Sequence, residues 1–167
     1  KIEEAISLLK NSVEQLKSEY SSIEPEHSFE FVPVERDGKA VSEEDGNKIL
    51  NVLCAVQNGV FRMSPDIPDL VEASSSLARV IIEKGLFTTQ SLQRSSVEST
   101  KAEVSMAIRT CFENIGATVE QSGDYPGWKP NRDSNILQIM EQLYLDMFKD
   151  QPKVKACHAG LECGILG

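Results

Sequence analysis

The chain has 167 residues, with 17 Lys and Arg against 26 Asp and Glu, a formal net charge of −9. A chain of this length buries roughly 70% of its unfolded surface, so disulfides are not needed to hold a core. Its acidity leaves no general basic field for phosphate and argues against nucleic-acid binding. With 40% hydrophobic and 26% charged residues it has the composition of a globule, and no apolar run approaches the length of a membrane span.

Residues 1–20 read as a helix, because Ile2, Ile6, Leu9, Val13, Leu16 and Tyr20 recur at spacings of three and four. Lys1-Ile2-Glu3-Glu4 already belongs to this acidic amphipathic pattern, so no signal peptide is expected there. No capping residue precedes it, which implies a cut chain or a flexible start. Ser21–Pro25 ends it, and His27 follows in a polar, acidic stretch where a solvated loop position is expected. Phe29–Val34 is a short strand-like run, and Pro33 within it points to an edge or a bulge. Arg36–Lys39 is a turn. Ser42 with Asp45 resembles a capping box for a helix whose stripe is Ile49, Leu50, Leu53 and Val56, with Asn58-Gly59 as its stop.

Residues 60–69 hold two prolines and read as a loop. Leu70–Ile82 and Leu86–Ser95 read as two strands, joined at Glu83-Lys84-Gly85 into a hairpin. Ser99 is the expected cap of a helix that buries Val104, Ala107, Ile108, Cys111, Phe112 and Ile115, and Gly116 stops it. Ala117–Gln121 reads as a returning strand. A hairpin, a helix and a returning strand form the second half of a ferredoxin-like unit whose first strand is missing before residue 1. The expected class is therefore α+β, an antiparallel sheet with helices on one face. A stiff connector, residues 122–131, precedes an amphipathic helix over 136–148, a short strand Val154–Cys157 and a closing glycine-flanked loop.

Among residues able to carry chemistry, Cys157, His158, Glu162 and Cys163 are the densest group. Sulfur, imidazole and carboxylate can bind zinc, but this spacing matches no usual paired-cysteine pattern, and a tight loop with incidental cysteines explains it as well. Four cysteines do not make a secreted disulfide framework, and two fall on apolar helical faces, so a reducing, cytoplasmic setting is expected. Arg94 stands in an alternating strand among small polar residues, and its planar fork suits a carboxylate. Trp128 reads as packing for the connector. The chain carries no HExxH, P-loop, Rossmann glycine pattern or nucleophile elbow.

Three stretches carry a resemblance: Gly59–Ser64 with Leu70–Leu77, then Gly123-Asp124-Tyr125-Pro126-Gly127-Trp128-Lys129-Pro130, then His158-Ala159-Gly160-Leu161-Glu162-Cys163-Gly164. In order and spacing, over essentially the whole chain, they resemble the aminoacyl-histidine dipeptidases (Xaa-His dipeptidases), zinc-dependent two-metal exopeptidases. The resemblance implies a ferredoxin-like lid domain over residues 1–124 and a return into an α/β catalytic domain over 125–167. It implies zinc as the cofactor of the complete enzyme, a shared hydroxide as its nucleophile and a glutamate as its proton shuttle. The family's metal ligands have no match here: Glu43-Glu44 has no HxD before it, and His158 and Glu162 do not fall at metal positions. The site residues it implies bind substrate. Arg94 would grip the free carboxylate, Ser76 stands where relatives have asparagine, and His158 and Glu162 would line the pocket opposite the lid. The implied partners are a dipeptide substrate, the remainder of the catalytic domain and a second copy through the lid, with no nucleic acid and no membrane. The chain alone is then expected to be inactive. The alternative is an acidic α+β interaction or dimerisation module without catalysis, with a small thiol or zinc protein centred on Cys157–Cys163 as a further reading.

Overall fold

The computed structural model describes residues 2–32, 35, 38–131, 133–159 and 165. Four α-helices and one three-stranded antiparallel sheet make the described part an α+β protein. The chain divides into two compact units, Lys1–Ala40 and Val41–Gly167. Among the described residues no helix is long and apolar enough to cross a membrane.

The first unit holds α1 (Ile2–Tyr20), which opens with Glu3 and Glu4 in its first turn, a favourable charge for the helix dipole. It stops as its pattern predicts, with the Ile23 and Glu24 amides both donating to the Tyr20 carbonyl. The expected strand Phe29–Val34 does not form over 29–32, which have no ladder partner among the described residues, and Pro33 and Val34 lie outside the described residues. His27 is half-buried rather than solvated, its ring edge-on to Phe29 with centroids 5.6 Å apart.

The second unit begins at α2 (Glu43–Ala55). The Ser42 hydroxyl accepts from the Asp45 amide at 3.1 Å and donates to the Asp45 carboxylate at 2.8 Å. The cap is thus made with aspartate, whose short side chain reaches the serine hydroxyl and not the serine amide of a true capping box. Strand β1 (Gly59–Met63) occupies part of the stretch expected to be a loop. The two prolines of that stretch, Pro65 and Pro68, come after the strand, and Gly59 enters it at φ +92°, a conformation open to glycine. Strands β2 (Val71–Glu83) and β3 (Leu86–Ser95) form the predicted hairpin. Lys84 and Gly85 at its tip both take positive φ, 52° and 80°, the requirement of a two-residue type I′ turn. The order is β1-β2-β3, all antiparallel, with a register shift in β2 between Leu77 and Arg79.

Helix α3 (Glu98–Glu113) starts one residue before the expected cap Ser99, after Val97, and no side chain caps it. Val104, Ile108 and Phe112 of this helix meet Val52 and Val56 at the end of α2 in the buried core, against Phe61, Leu77 and Phe87 from the three strands. The helical periodicity located this face of α3 except at Ala107, which is exposed, and in α2 the expected Leu50 is exposed while Val52 is buried. Glu72 is buried beside the core, and its carboxylate accepts from Arg62 Nε at 2.6 Å and from the Thr100 hydroxyl at 3.2 Å.

The returning strand Ala117–Gln121 does not form. This segment is fastened to α3 instead: the Ala117 amide donates to the Phe112 carbonyl at 3.1 Å, and Gln121 Nε2 to the Ser105 carbonyl at 3.2 Å. A groove of about 920 Å³, lined by both β3 and this segment, takes the place of a ladder between them. The described sheet therefore keeps three strands. Helix α4 (Asn135–Phe148) forms as its stripe predicts, although none of its residues is buried. The expected strand Val154–Cys157 has no ladder partner among the described residues.

Candidate substrate-binding site

Strand alternation fixes which side chains of β2 and β3 can meet. Ala73 and Ser75 turn into the protein, so Ser74 and Ser76 stand on the opposite face of β2. In the ladder Ser74 lies directly across from Arg94, and Ser76 across from Leu92. Arg94 and both serines therefore share one face of the hairpin. Among the described residues no carboxylate lies within ion-pair distance of Arg94, and its side chain is exposed.

The connector is fastened next to this face by one lysine. Lys101, in the first turns of α3, bonds the Asp124 carboxylate at 2.8 Å, the Tyr125 carbonyl at 2.6 Å and the Glu98 carboxylate at 2.9 Å. Partial burial opposes the charge of Lys101, but the bonds to Asp124 and Glu98 outweigh it and raise its pKa. Glu98 in turn accepts from the Gly127 amide, and that bond, with the one from Lys101, pushes its pKa down. Gly127 is required by contact: a Cβ there would meet the Ser95 carbonyl oxygen at 2.6 Å and the Ser96 carbonyl carbon at 2.8 Å.

The closing segment arrives from the other side. His158 Nε2 lies 2.7 Å from the Ser74 hydroxyl. A small cavity of about 30 Å³ remains, lined by Val71, Arg94, Tyr125, Trp128, Cys157 and His158 among others. That is room for one or two waters or the head of one small anion. Burial lowers the pKa of His158, and the neighbouring Arg94 charge lowers it further.

Leu70-Val71, Tyr125–Trp128 and His158-Ala159, one piece from each of the three sequence stretches, thus meet at one end of the hairpin. Of the expected site residues, Arg94 and His158 line the same cavity. Ser76 sits exposed one alternation further along β2, across from Leu92. Glu162 and Cys163 lie outside the described residues. Ser74, Lys101 and Gly127 were not singled out by sequence reasoning. Strand alternation from Ser76 could have indicated Ser74, whereas the two other contacts join segments 24 and 32 residues apart and leave no local signal.

A histidine held neutral in the folded state but free in the unfolded chain makes stability depend on pH. The unfolded chain binds the proton more readily, so stability from His158 is complete above its ordinary value of 6.5 and is lost as pH falls below it. The urea midpoint should therefore fall between about pH 7 and about pH 5.5, and His158→Gln should remove that step. An equal fall in the variant would show that other groups cause it.

Among the described residues no three His, Cys, Asp or Glu side chains gather into a group able to hold a metal. Cys54 and Cys157 are exposed free thiols, and Cys111 is a half-buried one packed against the core.

No family model matches the chain. It is homologous to cytosol non-specific dipeptidase of Escherichia coli (strain K12), with 29% identity over 166 residues, which cover 99% of this chain and 34% of that protein. The crystal structure of aminoacylhistidine dipeptidase from Vibrio alginolyticus matches with a TM-score of 0.89 and 32% identity, over 98% of this chain and 33% of that one. The chain spans about a third of the length of these relatives.

Proposed function

We propose that this chain, homologous along nearly its whole length to about a third of the dipeptidases just described, is the part of such an enzyme that holds the substrate's carboxylate. In this reading residues 1–124 are the lid, 125–167 return to the catalytic domain, and the substrates are Xaa-His dipeptides. The observation that carries it is Arg94. In a chain of net charge −9, this guanidinium has no carboxylate within ion-pair distance among the described residues. It opens instead into a small cavity shared with His158 and Trp128. A free carboxylate of the substrate matches the fork of the guanidinium with two parallel hydrogen bonds. Ser76, on the same face, would add a single donor. Closure of such a lid removes water and strengthens that ion pair.

Zinc, which the resemblance implies, would supply the activated water in the complete enzyme. The described residues do not fit it, so this reading places its ligands in other parts of the longer protein. This chain's share is binding and orientation. The purified chain, supplied with zinc, is expected to release no histidine from an Xaa-His dipeptide. Metal-dependent cleavage that co-purifies with the chain would overturn the assignment of the metal ligands to other parts of the protein.

A second reading, an interaction module without catalysis, draws on α4, whose Ile136, Ile139, Met140, Leu143 and Met147 are all exposed. Titration of the chain with an Xaa-His dipeptide separates the two, since a substrate clamp binds it in an Arg94-dependent way and a module without catalysis does not.

A further inference from the structure

We propose that Lys101 is the positioning residue of the cavity's aromatic wall: it grips the connector from the first turn of α3 and so sets where Trp128 stands. The grip is independent of the dipeptidase reading, and only its effect on a dipeptide rests on that reading. An ammonium carries three N–H donors. Those of Lys101 meet three acceptors, the Asp124 carboxylate at 2.8 Å, the Tyr125 carbonyl at 2.6 Å and the Glu98 carboxylate at 2.9 Å. Its side chain is 15% exposed, whereas the other lysines in ion pairs among the described residues, Lys17, Lys48, Lys84 and Lys129, keep 40% or more of theirs exposed. Exposed pairs of that kind contribute little, and a saturated, covered ammonium is a clasp.

The clasp takes hold of neighbouring points in the chain. Asp124 and Tyr125 are bound directly, and the Glu98 carboxylate, one oxygen on Lys101, accepts with the other from the Gly127 amide. Pro126 between them has a fixed φ and no N–H to satisfy. The ammonium also lies 6.0 Å from the centroid of the Tyr125 ring, within reach of a cation–π attraction. The backbone from 124 to 127 is therefore constrained at every residue, and Gly127 rests against Ser95 and Ser96. Trp128 comes next in the chain, so its starting point is fixed by α3.

Two other forces act on Trp128 among the described residues, and both are weaker. Its side chain is 51% exposed, so burial alone does not hold it. On its far side Lys129 reaches Asp66 at 2.7 Å, but both of those side chains are more than half exposed. The cavity that Trp128 shares with Val71, Arg94 and His158 has a volume of about 30 Å³. In a site this small, a misplacement of the wall by about 1 Å weighs heavily on what the site can hold.

Trp128 is the single tryptophan, so its emission and its quenching by acrylamide report the wall directly. In Lys101→Met the emission should shift to the red and the quenching should rise, while the helical circular dichroism stays that of the parent. Lys101→Arg keeps a cation with several donors and should restore part of the parent signal. Lys129→Met, which frees only the exposed pair with Asp66, should leave it unchanged. A second measurement needs no variant: in the parent chain the Gly127 amide should exchange with deuterium slowly, although it lies outside helix and sheet. An unmoved emission in a folded Lys101→Met, an equal shift in Lys129→Met, or a Gly127 amide that exchanges in the parent as fast as in an unstructured peptide would each overturn the proposal. On the dipeptidase reading, an Xaa-His dipeptide should bind Lys101→Met about tenfold more weakly than the parent, with Lys101→Arg in between. A parent that binds no dipeptide while Trp128 still follows Lys101 would strike the dipeptidase reading alone. A dipeptide held through Arg94 equally well in the parent and in Lys101→Met, with Trp128 unmoved, would strike the clasp alone.

Discussion

Replacing Gly127 by alanine is expected to destabilise the second unit by about 3 kcal/mol and to lift the connector from the end of the sheet. The added methyl would lie 2.6 Å from the Ser95 carbonyl oxygen and 2.8 Å from the Ser96 carbonyl carbon. These are backbone atoms at the end of β3 and the start of α3, and neither can rotate away. The segment must move instead, which also breaks the bond from the Gly127 amide to the Glu98 carboxylate. A hydrogen bond to a charged acceptor contributes about 1.5 to 3 kcal/mol and overpacking costs about 1 to 3, and because this bond is exposed to solvent the sum stands toward the low end of the combined range. Trp128 is the single tryptophan and sits next to the substitution, so its emission should shift to the red in the folded variant as it loses the wall of the cavity. Gly46→Ala in α2 is the control. Nothing lies within 4 Å of its added methyl and its φ is negative, so it should be neutral or stabilise by a few tenths of a kcal/mol. If Gly127→Ala unfolds within about 0.5 kcal/mol of the parent, the close approach is not a constraint in solution.

The second large effect concerns Glu72. Its side chain is 5% exposed and carries a carboxylate within the second unit. Arg62 Nε donates to it at 2.6 Å and the Thr100 hydroxyl at 3.2 Å, so the charge is paired from β1 and from α3. Arg62→Met keeps most of the length of the side chain and removes the partner. It should cost about 3 kcal/mol in urea unfolding, because an uncompensated carboxylate remains in a site closed to water. Glu72→Leu combined with Arg62→Met should recover most of that loss, since a buried ion pair contributes little beyond what an apolar pair of similar volume contributes. The double-mutant cycle measures the coupling directly. A coupling below about 0.5 kcal/mol would mean that the Thr100 hydroxyl and water satisfy the carboxylate without arginine.

The same two sites explain why the hairpin end is stiff enough to present Arg94. Glu72 ties β1, β2 and α3 together behind it, and the connector closes over it through Lys101. The connector, held at Glu98, and the closing segment, held at His158, both weaken as pH falls. The Glu98 bonds are complete above its ordinary value of 4.5 and are lost as pH falls below it, while His158 contributes its step at higher pH. The closing segment should therefore loosen before the connector on acidification.

Much of this was legible from local pattern. The helical stripes of α1, α2, α3 and α4, the β2–β3 hairpin with its Lys84-Gly85 turn and the Ser42 cap follow from periodicities of 3.6 and 2 and from turn chemistry, all properties of residues near in sequence. Ladders were not legible in the same way. β1 was hidden by the prolines just after it, whereas 117–121 and 154–157 have strand-like sequences but form no ladder among the described residues, 117–121 standing across a groove from the edge strand β3. Arg94 could be picked out by its setting among small polar residues, but that no carboxylate lies within ion-pair distance of it among the described residues is a matter of where distant acidic side chains fall in space. The sequence by itself determined where the helices form, where most of the buried face of α3 lies and where the hairpin turns, because those depend on the spacing of neighbours. Only the tertiary structure decided that Ser74 meets His158 across 84 residues and that Gly127 lies against the end of β3, because a contact between distant segments is set by packing and leaves no period to read.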